Sequence, residues 1–233
     1  MPKQGRQAGQ NIRELALKRR VKAITSFIAA GCIILLPLIL IRALDDLLQS
    51  LTSTNSSEPQ SSLDMPPIFY VMLIAIALGL VANGFALWKR ANRADQGAKG
   101  EESTAQVLEQ LEKEGWKVEY GMRLGNKLGD ADIVCISPKN KVYVIDVKSH
   151  KGKVIREGEQ LQRYIGATKY SFEKDFISQV MKQALQVKKQ KGFKFVTPVL
   201  AFSDAQVSLP SGQLRNVYVV EKKRLASLLK SLG

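Results

Sequence analysis

Two long apolar runs near the start of the chain constrain its fold more than any other feature. Residues 24–41 form an 18-residue run without a charged side chain, and residues 68–88 form a 21-residue run without one. Each run is long enough to cross a hydrocarbon core of about 30 Å as an α-helix. We therefore predict transmembrane helices at 23–41 and 68–88. Two buried helices of a soluble core, or a signal peptide in place of the first helix, are the alternatives.

The charges that flank these runs predict which side of a membrane each end faces. Residues 1–22 carry seven Lys or Arg against one acidic residue, whereas residues 42–67 carry one Arg against four acidic residues. Positive charges gather on the cytoplasmic side of membrane proteins. We expect an integral protein of the plasma (inner) membrane of a prokaryote, with a basic cytoplasmic N-terminus at 1–22 and both termini cytoplasmic. Residues 42–67 are then a short acidic external loop, flexible between positions 52 and 62.

The remainder of the chain, residues 89–233, has the composition of a folded domain. It holds 27 Lys or Arg and 16 Asp or Glu, and so carries +11 of the formal charge of +14. Periodicity predicts one helix from Arg93 to about Gly115, followed by strands and helices. The predicted fold class is α/β, with an α+β mixed sheet flanked by helices. The later predicted elements are the strands 117–122, 131–136, 142–147, 195–201 and 216–220, a short edge at 153–156, and the helices 172–189 and 221–232.

Cysteine and histidine usage excludes several kinds of catalytic site. Two cysteines, Cys32 and Cys135, cannot form a disulfide scaffold, and the chain has no C-x-x-C pair for zinc. The only histidine, His150, excludes a His-rich metal centre and leaves Ser-His-Asp chemistry one candidate base. Catalysis would therefore depend on carboxylates and lysines.

Two acidic residues enter neighbouring strands that are otherwise built from Val and Ile. If residues 138–140 form the turn between these strands, Asp132 lies opposite Asp146. Like charges placed opposite each other destabilise a sheet unless something compensates them. A hard divalent cation with oxygen ligands, Mg²⁺ or Mn²⁺, is the natural compensator.

Three further polar residues have positions that suggest a role in the same site. Glu101 follows the apolar face of the first helix, although an acid in a first turn is also favoured by the helix dipole alone. Gln183 follows the apolar face of a later helix, with a surface glutamine as the alternative. Lys148 shares a strand face with Asp146, and its alternative is a salt bridge to Asp130.

These residues resemble the nuclease-related domain (NERD), a branch of the PD-(D/E)xK nuclease superfamily with a restriction-endonuclease-like core. The resemblance covers roughly residues 97–220. It rests on Gly97-x-x-Gly100-Glu101 in the first helix, Asp132 at a strand start, Asp146-Val147-Lys148 at the end of the next, and Gln183-Ala184 on the following helix. Two departures are Asp146, where many relatives carry Glu, and the extra acid Asp130. The acid-x-Lys pattern recurs at 221–223 without an acidic partner, so the tripeptide alone has little value.

The resemblance implies a mechanism and assigns a role to each of these residues. The implied metal ligands are Glu101, Asp132, Asp146 and the backbone carbonyl of Val147. The metal, Mg²⁺ or Mn²⁺, would polarise a phosphodiester and help to generate hydroxide. Lys148 would orient that water or offset the charge of the transition state, and Gln183 completes the catalytic set. His150 would contact phosphate or water, with an ordinary polar residue at a strand end as the alternative.

Basic residues on either side of these positions favour a polyanionic partner, with DNA as the first choice. They are Lys151, Lys153, Arg156, Arg163, Lys182, Lys188, Lys189, Lys191 and Lys194. A charge run is more often a solvated face, so no single lysine is assigned. We predict a membrane-anchored, metal-dependent nuclease that acts on DNA at the cytoplasmic face. A catalytically inactive module that binds nucleic acid or protein, and a domain that binds anionic lipid, are the alternatives.

Overall fold

The structure is a computed structural model that describes residues 7–52, 66–125 and 128–233. The chain divides into two compact units. One unit joins the described residues up to Glu14 with Ala94–Gly233, and the other is Leu15–Arg93. Two long helices, α1 (Gln10–Thr52) and α2 (Pro67–Lys113), each contribute residues to both units.

The unit Leu15–Arg93 is an antiparallel pair of helical segments packed through small side chains. Buried small residues recur every seven positions, at Ala16, Ala23 and Ala30 of α1 and at Ala77, Gly84 and Ala91 of α2. Small residues let two helix backbones approach closely. The Asn83 side chain donates to the Ser26 hydroxyl at 3.1 Å. The Phe27 and Phe85 rings meet edge to face, with centroids 5.3 Å apart.

Both helices extend beyond the predicted membrane spans. α1 includes residues 42–52, which the sequence assigned to the external loop, because this stretch is rich in Leu and contains no Pro or Gly. α2 continues from the second apolar run to Lys113, so the predicted domain start at residue 89 lies inside a helix. From residue 53 onward, the predicted flexible connector lies outside the described residues.

The unit that contains Ala94–Gly233 is a mixed sheet with helices on both faces, as the sequence predicted for the α+β class. Its strands are β1 (Lys117–Arg123), β2 (Asp130–Ile136), β3 (Val142–Glu157), β4 (Gln160–Ile165), β5 (Thr168–Ser171), β6 (Thr197–Ser208), β7 (Gln213–Leu214) and β8 (Val217–Glu221). Its further helices are α3 (Phe176–Lys191) and α4 (Lys222–Leu232). The strand order is β1-β2-β3-β6-β8-β7, with β3, β6 and β8 parallel. Off this path, β4 pairs with β3 and β5 pairs with β4.

Apolar side chains alternate between the two faces of this sheet and fix which helix covers each face. On one face, Tyr143 and Ile145 of β3 pack in a cluster with Leu108 of α2 and Leu225 of α4. On the other face, α3 covers the sheet through Val180, which packs with Leu200 and Phe202, and through Ala184 and Val187, which pack with Val142 and Val144. A side chain of β3 that points toward α3 therefore shares its face with Val142 and Val144.

The hairpin of β2 and β3 has the predicted register. Ile136 pairs with Val142 and Val134 pairs with Val144, and the Ser137 N–H donates to the Lys141 carbonyl at 2.9 Å across the predicted turn. The ladder runs as far as Ile133 and Ile145, one residue short of Asp132 and Asp146. There the Asp132 carboxylate accepts the Val147 N–H at 2.7 Å.

The hairpin of β4 and β5 was not predicted, because its exposed residues lack a clear apolar alternation. The predicted edge at 153–156 is the end of β3, which continues from Val142 to Glu157 through an irregularity between Lys148 and Lys151. α3 begins at Phe176 rather than at residue 172, because the Asp175 carboxylate caps the helix by accepting the Ser178 N–H at 3.0 Å.

Candidate active site

Four of the predicted site residues come together where β2, β3 and α2 meet. Asp146 of β3 is 1% exposed and Glu101 of α2 is 7% exposed, while Asp132 of β2 is partly buried. Lys148 follows Asp146 on β3, and its Nζ atom lies 2.6 Å from Asp146 Oδ2. The structure thus brings three carboxylates and one amine into the same electrostatic neighbourhood.

Burial raises the pKa of all three carboxyl groups. For Glu101 the pKa rises to about 7, because of burial first, with Asp146 also raising it and the Gly9 N–H opposing. For Asp132 the pKa rises because of burial and then because of the charges of Asp146 and Glu101. For Asp146 the pKa also rises through burial, with Lys148 opposing. Buried acids that repel one another favour a cationic partner, and such perturbed groups cluster at functional sites.

Two glutamines of α3 lie over this cluster. Gln179 Nε2 donates to Asp146 Oδ1 at 3.3 Å, and Gln183 Nε2 donates to the Asp130 backbone carbonyl at 3.2 Å. Gln183 is buried rather than at the helix surface, and it acts with Lys148 to lower the pKa of Asp146. The sequence indicated Gln183 but missed Gln179, which lies one helical turn earlier and could have been found by the same i, i+4 spacing.

Residues before the first apolar run also contact the cluster, which the sequence did not predict. The Gly9 N–H donates to Glu101 Oε2 at 3.1 Å, and Asn11 Nδ2 donates to Asp130 Oδ2 at 2.8 Å. Gly9 has a φ of +74°, and a Cβ atom there would lie 2.8 Å from the Ala98 carbonyl oxygen. From the sequence, the basic residues of the N-terminus predicted only the membrane topology. Their pattern does not specify a contact with a residue about ninety positions away.

Gly100 allows α2 to approach the sheet beside Glu101. A Cβ atom at this position would lie 2.8 Å from Ser203 Oγ and 2.9 Å from Ser149 Cβ. Real Cβ atoms do not sit this close to other atoms, so a larger residue would push α2 away from β3 and β6. The glycine is thus part of what places the Glu101 carboxylate near Asp146.

The remaining candidate residues divide between two places. His150 lies on β3 beyond Lys148, and burial, Arg163 and Lys148 lower its pKa, while Glu173 opposes this shift. The lysines of the last turn of α3 lie farther away, where Lys191 Nζ pairs with Glu119 at 3.0 Å. Their positive charges suit a helix C-terminus. The positive charge of the domain is therefore not confined to the neighbourhood of the carboxylates.

The donor set suits a hard divalent cation, although the side chains are not arranged in a coordination sphere. Among residues 7–52, 66–125 and 128–233, no group of three His, Cys, Asp or Glu side chains is placed to hold a metal ion. Glu101 accepts the Gly9 N–H and Asp132 accepts the Val147 N–H. Buried Asp146 Oδ2 lies 2.6 Å from the amine of Lys148. Carboxylate oxygens are the ligands that Mg²⁺ prefers, so the chemistry fits.

Comparison with known proteins gives one match, and it covers this cluster. No curated protein and no solved structure shows significant similarity to the chain. One family model, described as the nuclease-related domain (NERD), matches residues 96–203, just under half of the chain. The matched segment begins in α2 before Glu101, ends in β6, and includes every residue that the sequence assigned to the site. Residues 96–203 of this chain are therefore similar to a nuclease-related domain.

Proposed function

We propose that this protein is a membrane-anchored, divalent-metal-dependent nuclease that hydrolyses phosphodiester bonds of DNA at the cytoplasmic face. The observation that carries the proposal is the cluster of Glu101, Asp132, Asp146 and Lys148, buried within the segment that matches the nuclease-related domain. Buried acids are costly to a fold, and a function that needs them explains their presence better than stability does.

The ligands in this proposal are Glu101, Asp132, Asp146 and the backbone carbonyl of Val147. A bound Mg²⁺ or Mn²⁺ would supply a Lewis acid for the phosphodiester and lower the pKa of a water molecule. Glu101 would have to give up the Gly9 N–H to become a ligand, and Asp132 would have to share its oxygen with the Val147 N–H. Asp146 Oδ2 would have to share its charge between the metal and Lys148.

The residues around the carboxylates have positioning roles in this mechanism. Lys148 Nζ is held at 2.6 Å from Asp146, where it can orient a water molecule or offset negative charge on the phosphate. Gln179 fixes the Asp146 carboxylate and Gln183 fixes the backbone of β2. The mixed sheet with α2 and α3 on opposite faces supports the restriction-endonuclease-like core that the resemblance implies.

The membrane part of the proposal rests on the surface of α1 and α2. Both helices are long and apolar enough to cross a membrane, and only 6% and 11% of their most apolar windows are buried. Core helices of a soluble protein would be mostly buried instead. Leu35, Leu36 and Ile39 are each more than half exposed. Exposed apolar area in water costs about 25 cal/mol per Å², so lipid is the environment that suits these faces.

The test is a plasmid-cleavage assay on the full-length chain in detergent, with Mg²⁺, Mn²⁺ or a chelator. The full chain is needed because Gly9 and Asn11 contact the site. We expect nicked or linear DNA with metal, and none with chelator or with Asp146→Asn. The matched control is Glu221→Gln, which alters the other acid-x-Lys tripeptide. Intact plasmid with the wild-type protein under both metals would refute the proposal.

A second function, binding of nucleic acid without cleavage, is favoured by the protein partners of the carboxylates. Glu101 and Asp132 both accept backbone N–H groups, and no three acids are placed to hold a metal in the described part of the chain. A binding module predicts salt-sensitive binding of DNA that Asp146→Asn leaves unchanged or strengthens, with no cleavage by the wild-type protein. Cleavage that depends on Asp146 would exclude it.

A further inference from the structure

A group of aromatic rings and cations lies beside the carboxylate cluster, and we call it the aromatic wall. Its members are Lys148, His150, Arg163, Tyr170, Phe172 and Phe176. The His150, Phe172 and Phe176 rings contact one another, with centroids 5.1 to 5.3 Å apart. The wall begins at Lys148, whose amine also contacts Asp146, and ends at the hairpin of β4 and β5.

Each cation of the wall lies over the face of an aromatic ring. Lys148 Nζ is 5.0 Å from the Phe176 centroid. The Arg163 guanidinium is 5.6 Å from the Phe172 centroid and 5.9 Å from the Tyr170 centroid. Such contacts hold a cation in a fixed place without neutralising its charge. Apart from the ion pair of Lys148 with Asp146, the wall is therefore a preorganised positive surface.

The pairing of the strands explains why these side chains share one surface. Arg163 of β4 pairs with Val154 of β3 and with Tyr170 of β5. Residues that pair across strands project from the same face of a sheet. Val154 is buried in the cluster that contains Phe176 of α3, so Arg163 and Tyr170 project toward the face that α3 covers. Asp146 also faces α3, through Gln179.

Two polar atoms of the wall lack partners within the described residues. Arg163 Nε and His150 Nδ1 are both buried and make no hydrogen bond there. Arg163 and Lys148 both lower the pKa of His150 after burial, which shows that their positive charges act on the same place. Buried polar atoms without partners are costly, and an anionic ligand oxygen between Arg163 and His150 would satisfy both.

We propose that the aromatic wall binds single-stranded nucleic acid and delivers it to the carboxylate cluster. A backbone phosphate would lie between Arg163 and His150, and an unpaired base would stack on Tyr170, which is 44% exposed. Ring faces accept bases only when these are not stacked within a duplex. The inference rests on the proposed function for the kind of polymer, and it specifies the form of that polymer.

The test measures binding of the full-length chain in detergent to a fluorescent 20-nucleotide single strand and to the matching duplex, by anisotropy in chelator so that cleavage cannot occur. Tyr170→Ser and Arg163→Gln should each weaken single-strand binding by about tenfold, and change duplex binding by less than about threefold. Arg163→Gln should also lower the slope of log affinity against log salt by about 0.7. Tyr170→Phe keeps the ring and should keep the affinity.

A second aromatic–cation pair in the same domain supplies matched controls. Lys188 Nζ lies 5.8 Å from the Phe195 centroid, and Phe195 is 84% exposed. Phe195→Ser and Lys188→Gln should leave single-strand binding within about twofold of the wild type. Equal losses in these controls, equal losses for duplex and single strand, or no loss with Tyr170→Ser would overturn the inference.

The outcome of this binding test can be distinguished from the outcome of the cleavage test. If the wild type cleaves plasmid and Tyr170→Ser leaves single-strand affinity unchanged, the proposed role of the aromatic wall is refuted and the nuclease proposal is not. Selective loss of single-strand binding in a protein that never cuts would support the wall and refute the nuclease. Anionic vesicles that compete with the oligonucleotide for the wild type but not for Arg163→Gln would assign the wall to lipid instead, and would overturn it.

Discussion

Two acid-x-Lys tripeptides lie on parallel strands of the same sheet, and only one of them belongs to the carboxylate cluster. Asp146-Val147-Lys148 lies on β3 and Glu221-Lys222-Lys223 lies at the end of β8, with β6 between them. Lys148 pairs with Phe202, and Phe202 pairs with Glu221. The two tripeptides thus lie at similar positions along their strands, so their differences must come from their surroundings.

Burial and neighbours distinguish the two tripeptides. Asp146 lies two residues before the register shift of β3, under α3, and is almost fully buried beside a second acid on β2. Glu221 lies where β8 passes into α4, is partly exposed, and is followed by exposed Lys223. Lys222 donates instead to Ser103 of α2 at 2.9 Å. The fold thus buries the acid of one tripeptide near other acids and leaves the acid of the other partly exposed.

The largest effect that separates the tripeptides should come from their lysines. Lys148→Met removes the amine that faces Asp146, and cleavage should fall by about 10²–10⁴-fold, the range for a positioned acid–base group. Lys223→Met, at the matching position of the other tripeptide, should change the rate by less than about threefold. Initial rates of plasmid nicking by full-length variants at equal concentration measure both. Similar losses in the two variants would show that the comparison reflects surface charge rather than the site.

The next effect is a change in the stability of the domain with pH. It depends on Glu101, the buried acid that α2 places near Asp146. The pKa of Glu101 rises from about 4.5 in the unfolded chain to about 7 in the fold. Between these values the folded state holds a proton that the unfolded state has lost, so stability falls as pH rises through this window. Glu101→Gln should remove the loss, stabilising the domain at pH 8 by at most about 3 kcal/mol.

Urea unfolding in chelator measures this effect, followed by the fluorescence of buried Trp116 in a Trp88→Phe background, since the chain has two tryptophans. Below pH 4.5 the variant and the parent should have equal midpoints. The control is Glu102→Gln, which alters the neighbouring acid that pairs with Arg13 at the surface and should shift stability by less than about 1 kcal/mol at any pH. A pH-independent gain in Glu101→Gln would refute the assignment to burial.

Sequence predicted the parts of the fold that local patterns encode. The β2–β3 register followed from the length of a three-residue turn, and the burial of Glu101 and Gln183 followed from helical spacing. The Gly9 contact and the β4–β5 hairpin could not be predicted, because one joins residues far apart in the chain and the other lacks a clear apolar alternation. Metal ligation by Glu101, Asp132, Asp146 and Val147 stays a prediction.

The smallest effect tests whether the close approach of α2 to the sheet keeps Glu101 near the Asp146 tripeptide. Gly→Ala inside a helix usually stabilises by about 1 kcal/mol. Gly97→Ala should gain this amount, because its Cβ would meet only Ile12 at 3.9 Å. Gly100→Ala should instead destabilise by about 1 kcal/mol net, because its Cβ would collide with Ser203 and Ser149. The Trp116 urea midpoints measure both variants.

The collision at Gly100 also leads us to expect that the position of α2 is coupled to the rate of cleavage. Gly100→Ala should slow cleavage as well, since α2 carries Glu101 toward Asp146, whereas Gly97→Ala should not. Ser149→Gly combined with Gly100→Ala should recover part of the lost stability, because it removes the Cβ atom that lies 2.9 Å from the added methyl group. Additive effects of the two substitutions would show that the position of α2 does not depend on this contact. Another part of the structure would then hold Glu101 near the buried tripeptide.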